Sequence, residues 1–255
     1  MPYPQERLLL KEIAGVSVLI GLLSDVHGNL SGLRAVVDDM RRDETPDLVV
    51  VAGDHVQGGP RPREVWRELK RLGWILIRGN EDEALVDARR LEAQFPPNYR
   101  FRNAARVQFA WSRKVVGAKI LRELDALPFS HRVATPAGDL LVVHSRPHST
   151  TDYAGAPHST AEELTTWYAG TGASAIAFGH YHSSFVRPMP FALLVNVASV
   201  GLPVHGLPLA SYTVMRATTD GWVVQQRHVP YTAADEAAAA QAVKMPRWIA
   251  NPEEP

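Results

Sequence analysis

The chain has 255 residues, with 27 acidic and 27 basic side chains, a formal net charge of zero and no cysteine. This balance removes any global electrostatic argument for a nucleic-acid or membrane partner, and the missing cysteines exclude disulfides, thiolate nucleophiles and cysteine-bound zinc. Residues 1–15 are mixed and charged and do not resemble a signal peptide. No apolar run approaches the roughly 20 residues that span a bilayer. We therefore expect a cytoplasmic protein.

The first third of the chain alternates strands with helices. Buried strands are predicted at Val16–Leu23, Asp47–Ala52 and Trp74–Ile77, and amphipathic helices at Leu30–Arg42 and Pro60–Leu72. Ser31 is a candidate N-cap of the first of these helices. This alternation predicts parallel strands joined by right-handed crossovers.

The middle of the chain is more charged and more helical. Residues 81–94 and 103–127 have helical patterns, and Pro96 and Pro97 separate them. We predict a helical insertion or cap at about residues 82–127, lying over one edge of the sheet. An ordinary pair of surface helices is the alternative.

Strand patterns return after Arg132. A hairpin is predicted around residues 136–138, and a helix at Ser159–Tyr168, with a capping box formed by Ser159 and Glu162. The remaining predicted elements are strands at Ala173–Phe178, Phe185–Arg187, Leu193–Ala198, Ala210–Arg216 and Trp222–His228, and a helix at Ala233–Val243. We expect one domain over residues 1–255, a two-layered β core with helices outside, and a loose tail at about 244–255.

Polar side chains that are suited to binding metals follow five of the apolar runs, at residues 24–29, 52–55, 78–82, 142–145 and 179–182. In open α/β sheets the carboxyl ends of the strands form the ligand-binding edge. Any one segment alone is typical of a turn, but the joint occurrence favours a metal site. Carboxylates, imidazoles and an amide oxygen suit a pair of first-row divalent metals, which can clamp a phosphoryl group. The candidate ligands are Asp25, His27, Asp54, Asn80, His144, His180 and His182.

In combination these motifs resemble the calcineurin-like metallophosphoesterase family, over about residues 18–234. The closest similarity is to a branch of small bacterial and archaeal predicted phosphodiesterases, which carry a segment like Asn196–Pro203. The resemblance implies a layered α/β fold with a two-sheet β-sandwich core flanked by helices. It also implies two divalent metals per chain, either Mn, Fe, Ni or Zn, with Mn expected to support activity.

The resemblance further implies a role for each ligand. Asp25, His27 and His182 would hold the first metal, and Asp54 would bridge both. Asn80, His144 and His180 would hold the second metal. A hydroxide shared by the two ions would be the nucleophile, so that no side chain is phosphorylated.

The sequence departs from the family pattern at Glu81, where a histidine often serves as general acid. An ionised Glu81 would repel an anionic substrate, whereas a protonated one can donate a proton. We therefore expect esters with leaving groups of low pKa to be favoured. Candidate substrate contacts are Asn29, Arg146 and His205, each with a purely structural or solvated role as the alternative.

Three functions fit the motifs to different degrees. The first is a metal-dependent phosphoesterase acting on the phosphodiester or phosphomonoester bond of a small, for example nucleotide-like, substrate. The alternative is a catalytically weak metal-binding scaffold with the same fold. A nuclease would need a strongly basic groove, which the charge balance does not favour. A homo-oligomer is plausible, although no interface is visible in the pattern.

Overall fold

A computed structural model describes residues 17–151, 158–204 and 206–246. The strands are β1 Val18–Leu23, β2 Leu48–Val51, β3 Ile75–Leu76, β4 Ser130–Val133, β5 Leu140–Val143, β6 Ala175–Phe178, β7 Ser184–Pro188, β8 Leu193–Val197, β9 Leu209–Thr218 and β10 Gly221–Pro230. The helices are α1 Leu30–Arg42, α2 Pro62–Leu72, α3 Asn80–Val86, α4 Ala88–Gln94, α5 Arg102–Asp125, α6 Ala161–Tyr168 and α7 Ala233–Ala242. No helix in these ranges is long and apolar enough to cross a membrane.

The strands form two mixed sheets of five strands each. The first sheet has the order β10-β9-β1-β2-β3 and the second has the order β4-β5-β6-β8-β7. The β1–β2 and β2–β3 pairs are parallel, as the alternation of strands and helices predicted. The two sheets and their flanking helices confirm the predicted fold class.

The inner faces of the two sheets form one buried apolar layer. Val18, Ile20 and Leu22 of β1 belong to the same cluster as Leu140 and Val142 of β5. Successive side chains of a strand point to opposite faces, so these alternate residues share the inner side. The intervening Leu23 belongs instead to the cluster on the helical side. This layered core packs around β1, β2 and β5, whose carboxyl ends precede the candidate ligands.

The helical segment after β3 contributes to the core on the outer face of the first sheet. Leu85 of α3 and Phe109 of α5 lie in one buried cluster with Val36 of α1 and Leu69 of α2. The second sheet has its own outer cluster, which includes Tyr168 of α6 and Phe178 of β6, stacked at 5.0 Å. A capping function of the segment after β3, and the single-domain boundaries, stay predictions.

Two predicted helix caps were wrong by one or two residues. Asn29 caps α1, because its side chain accepts from Gly32 N at 2.8 Å, while Ser31 Oγ bonds to Arg61 instead. Thr160 and Glu163, rather than the residues before them, form the reciprocal capping box of α6. Ser159 lies three positions before Glu162, and Thr160 lies three positions before Glu163, so the sequence pattern alone does not separate the two possible capping boxes. In addition, β4 begins at Ser130, although strand patterns were predicted to return only after Arg132.

Candidate metal centre

The first group of converging ligands contains Asp25, His27 and His182, which come from the ends of β1 and β6. Asp25 Oδ1 lies 3.2 Å from His182 Nε2 and 3.6 Å from His27 Nε2. The two Nε2 atoms are themselves 3.1 Å apart. Asp25 is completely buried, and its Oδ1 has no hydrogen-bond partner among the described residues.

The hydrogen bonds on the other ring nitrogens explain why this group suits a cation. His27 Nδ1 lies 2.8 Å from Gln57 O, and His182 Nδ1 lies 2.8 Å from Leu202 O. A carbonyl oxygen only accepts, so each neutral ring carries its proton on Nδ1 and directs the Nε2 lone pair inward. When both rings are neutral, two lone pairs and a buried carboxylate oxygen therefore face one point, which is unfavourable unless a proton or a metal cation lies there.

The second group contains Asn80, His144 and His180. Asn80 Oδ1 lies 2.7 Å from His144 Nε2 and 2.9 Å from His180 Nδ1. His144 Nδ1 donates to Ala52 O at 2.6 Å, which directs its other nitrogen toward the amide oxygen. When the His144 ring is neutral, its Nε2 and the Asn80 amide oxygen suit a divalent ion with oxygen and nitrogen ligands.

Asp54 lies between the two groups. Its Oδ2 is 3.4 Å from His144 Nε2, and single ligand atoms of Asp25, Asp54 and His144 all lie within 4.8 Å of one another. Ligand atoms of His27, Asp54 and Glu81 form a second such set. The structure thus brings together all seven residues that the sequence analysis selected.

Five of these seven residues have left-handed backbone conformations. The φ angles are 55° at Asp25, 48° at His27, 54° at Asp54, 65° at His180 and 56° at His182. Residues other than glycine seldom adopt positive φ, and such strain is concentrated at functional sites. The clustering of outliers on the candidate ligands is therefore independent support for a site here.

Two motif glycines allow the loops to approach the carboxylates closely. A Cβ atom on Gly79 would lie 2.1 Å from Asp54 Oδ1, and one on Gly179 would lie 2.4 Å from Asp25 Oδ2. Neither oxygen belongs to a flexible surface side chain, so a larger residue would displace a candidate ligand. This close approach explains why glycine precedes Asn80 and His180 in the chain.

Asp82 holds two of the ligand loops together, a role that the sequence analysis missed. Its buried carboxylate accepts from Asp54 N at 2.9 Å, from Gly79 N at 2.9 Å and from His55 N at 3.2 Å. It also bonds His55 Nδ1 at 2.8 Å, and His55 is fully buried behind the site. The sequence signal that could have indicated this role is an acidic residue three positions after Gly79, the spacing of a helix capping box.

The residues predicted to contact substrate are placed differently from one another. Glu81 lies at the site, with its Oε2 3.3 Å from His27 Nδ1 and its amide donating to Asp54 Oδ1 at 2.9 Å. Asn29 is buried, and its side chain accepts from Gly32 N and donates to Gly201 O, which shapes the turn; its contact with substrate stays a prediction. The guanidinium of Arg146 lies over the Trp167 ring at 4.1 Å. His205 lies outside the described residues.

Burial and opposed charges shift the titration of the site. Burial would raise the pKa of Asp25, but His182 and His27 hold it well below its ordinary value. Burial would lower the pKa of His144, yet the Asp54 and Asp25 carboxylates raise it to about 9. Burial dominates at His180 and lowers its pKa to about 3. Without bound metal, an imidazolium at His144 therefore offsets part of the carboxylate charge.

We expect metal binding to release protons at pH 7. His144 is protonated below its pKa of about 9, and only the neutral ring can coordinate, so the metal displaces that proton. The apparent metal affinity should rise with pH and level off above this pKa. Titration calorimetry in two buffers of different ionisation enthalpy counts the protons, and His144→Asn should release fewer. Release of none at pH 7 would contradict the charge assignment.

The fold and the buried cluster of carboxylates, imidazoles and an amide together define a metal-dependent phosphoesterase. The chain belongs to the calcineurin-like phosphoesterase family, whose family model matches residues 18–184, more than half of the sequence. The resemblance inferred from the motifs is confirmed.

Individual relatives extend over most of the chain. A metallophosphoesterase from Sphaerobacter thermophilus has 25% identity and a TM-score of 0.68, over 90% of this chain and 95% of that one. A hypothetical protein from Pyrococcus horikoshii OT3 shares the fold, with 16% identity, a TM-score of 0.75 and the same coverage of 90% and 95%. An uncharacterized protein from Methanocaldococcus jannaschii is 23% identical over 214 residues, which are 78% of this chain and 83% of that protein.

Proposed function

We propose that this protein hydrolyses a phosphodiester or phosphomonoester bond with two divalent metal ions. The observation that carries the proposal is the convergence of two sets of inward-facing ligands around Asp54. Asp25, His27 and His182 form one set. Asn80, His144 and His180 form the other. Ions held there would polarise the phosphoryl oxygens and lower the pKa of the attacking water, whose bridging position is part of the proposal.

The charge of the site favours an anionic ester. Asp25 and Asp54 contribute two negative charges against the four positive charges of two dications, and the five other proposed ligands are neutral when they coordinate. A phosphate ester would supply the remaining counter-charge. The ligand set fits Mn, Fe, Ni and Zn, of which Mn is the ion we propose for activity.

Model esters separate the enzyme from a scaffold of the same fold. The metal-loaded protein should turn over an aryl phosphodiester, an aryl phosphomonoester or both, and a chelator should stop the reaction. Metal binding without turnover of either ester, or of a panel of nucleotide esters, would favour the catalytically weak scaffold.

Glu81 occupies the position of the usual general acid, and its replacement tests that role. Burial raises the pKa of Glu81, while its proximity to His27 opposes the shift. We expect Glu81→His to speed hydrolysis of alkyl esters by about tenfold or more, and to change aryl esters much less, because poor leaving groups need protonation most. The measurement is kcat/KM for a series of leaving groups.

Glu81→Gln is the matched control for this series. The amide removes the carboxyl proton without adding an imidazole, so it should not rescue poor leaving groups. An equal gain on all leaving groups with Glu81→His would contradict the general-acid assignment and indicate a purely electrostatic effect of the carboxylate.

Nucleic acid is not part of the proposal. Arg102 and Arg106, on the most basic helical segment, both pair with Glu92, which reduces their availability to phosphates. A small phosphate-ester substrate with a nucleotide-like structure remains the proposed partner. Cytoplasmic location and a homo-oligomeric state also stay predictions.

A further inference from the structure

A cavity of about 310 Å³ opens beside the segment that follows β8. Its described lining carries no charged side chain, and Leu202, Pro203, Leu207, Pro208 and Tyr231 form most of the wall. Three large apolar side chains in this stretch are unusually exposed, at 46% for Leu202, 64% for Val204 and 56% for Leu207. Exposed apolar clusters of this kind mark binding surfaces.

The cavity wall is continuous with the candidate metal centre. Leu202 O accepts the His182 Nδ1 proton at 2.8 Å, and Leu202 N donates to Ser199 Oγ at 2.8 Å. Ser199 Oγ in turn donates to Asp25 O at 2.9 Å, as does Gly201 N at the same distance. The wall is therefore hydrogen-bonded to the backbone of Asp25 and to the imidazole of His182, two proposed metal ligands. This connection places it next to the proposed anchor for the phosphate.

The two neighbouring surfaces differ sharply in chemistry. Two dications would make the metal centre positive, whereas the described lining of the cavity is uncharged. Tyr231 adds an aromatic surface, and it packs against the buried cluster beneath it, which restricts its motion. Planar aromatic groups stack favourably on such a ring.

We propose that this cavity binds an uncharged aromatic ring carried by the substrate, and so selects esters of ring-bearing alcohols. The proposal rests on the proposed phosphoesterase function and names the substrate class for it. Aryl esters and nucleotides share this chemistry, since each combines an anionic phosphoryl group with a neutral ring. Leu202, Leu207 and Tyr231 are the specificity-determining residues.

Adenosine 5′-monophosphate and ribose 5-phosphate form a matched pair of probes, because they share the phosphate and the sugar and differ in having adenine or a hydroxyl at C1. We expect the manganese-loaded full chain to bind the nucleotide about tenfold more tightly, as expected for one base stacked on an aromatic side chain. Tyr231→Leu keeps an apolar side chain of comparable packing and should bring the ratio of the two affinities close to one. Leu207→Ser, on an exposed side chain, should reduce it without endangering the fold. Val223→Ser, at another exposed valine on β10, should leave the ratio unchanged.

Adenosine alone separates this proposal from the proposed function. It lacks phosphate, so its binding, measured by saturation-transfer NMR, should be weakened by Tyr231→Leu whether or not the metal centre binds phosphate. A wild-type ratio near one would overturn the proposal. The proposal would also be overturned if Tyr231→Leu changed the oligomeric state and left the ratio of the two affinities unchanged. That result would assign the cavity to a second copy of the chain.

Discussion

Asp54→Asn should reduce turnover of an aryl phosphodiester by about a thousandfold or more while the protein remains folded. Asp54 lies within reach of His144 in one ligand group and of His27 in the other, and its side chain is buried. Asparagine preserves the shape and can still accept from Glu81 N, but it removes the negative charge that would hold two cations together. Charge stabilisation by metals contributes several kcal/mol to such transition states, and each 1.36 kcal/mol is about tenfold in rate.

Asp38→Asn provides the matched control for that substitution. The Asp38 side chain is 66% exposed on α1. Replacing its carboxylate with an amide should therefore leave turnover and metal content unchanged. Steady-state kinetics and circular dichroism of both variants are sufficient. Retention of more than a tenth of wild-type turnover in Asp54→Asn would exclude the bridging role.

Asp82→Asn should destabilise the protein by about 3–5 kcal/mol and weaken metal binding by about tenfold to a hundredfold. The buried carboxylate accepts three backbone N–H groups and the His55 imidazole. An amide replaces one acceptor with a donor, so at least one of these buried groups loses its partner. Because two of the amides belong to Asp54 and Gly79, the loops that carry Asp54 and Asn80 should lose their alignment.

Denaturant titration of the metal-free protein measures the loss of stability. Metal titration at pH 7 without denaturant measures the loss of metal affinity. Asp38→Asn again serves as the control and should change the free energy of unfolding by less than about 0.5 kcal/mol. A loss of stability with unchanged metal affinity would show that Asp82 stabilises the fold without positioning the ligands.

The sequence predicted the candidate ligands better than it predicted the contacts that hold the ligand loops in place. Asp25, His27 and Asp54 could be placed because each follows a recognisable buried strand, and parallel strands present their ends at one edge. Their left-handed conformations were not predicted by any sequence pattern and are a finding of the structure. The two-layered β core was likewise expected from the strand patterns, and its two-sheet form was implied by the resemblance to the family.

Contacts between loops could not be read from local patterns. The Asp82 carboxylate reaches back 28 residues to the Asp54 amide, and no spacing rule indicates such a partner. Arg146 was selected as a phosphate contact by its closeness to His144 in the chain, and that contact stays a prediction; that its guanidinium lies over Trp167 of α6 could not be foreseen. The position of a long side chain depends on which surfaces pack around it, and this is decided by tertiary structure.

The metal content of the purified protein, measured together with diester turnover before and after chelation, tests the two-metal assignment most directly. We predict about two divalent ions per chain, loss of turnover on their removal, and recovery when manganese is restored. Absence of bound metal under every loading condition, or turnover that survives complete removal of metal, would contradict it.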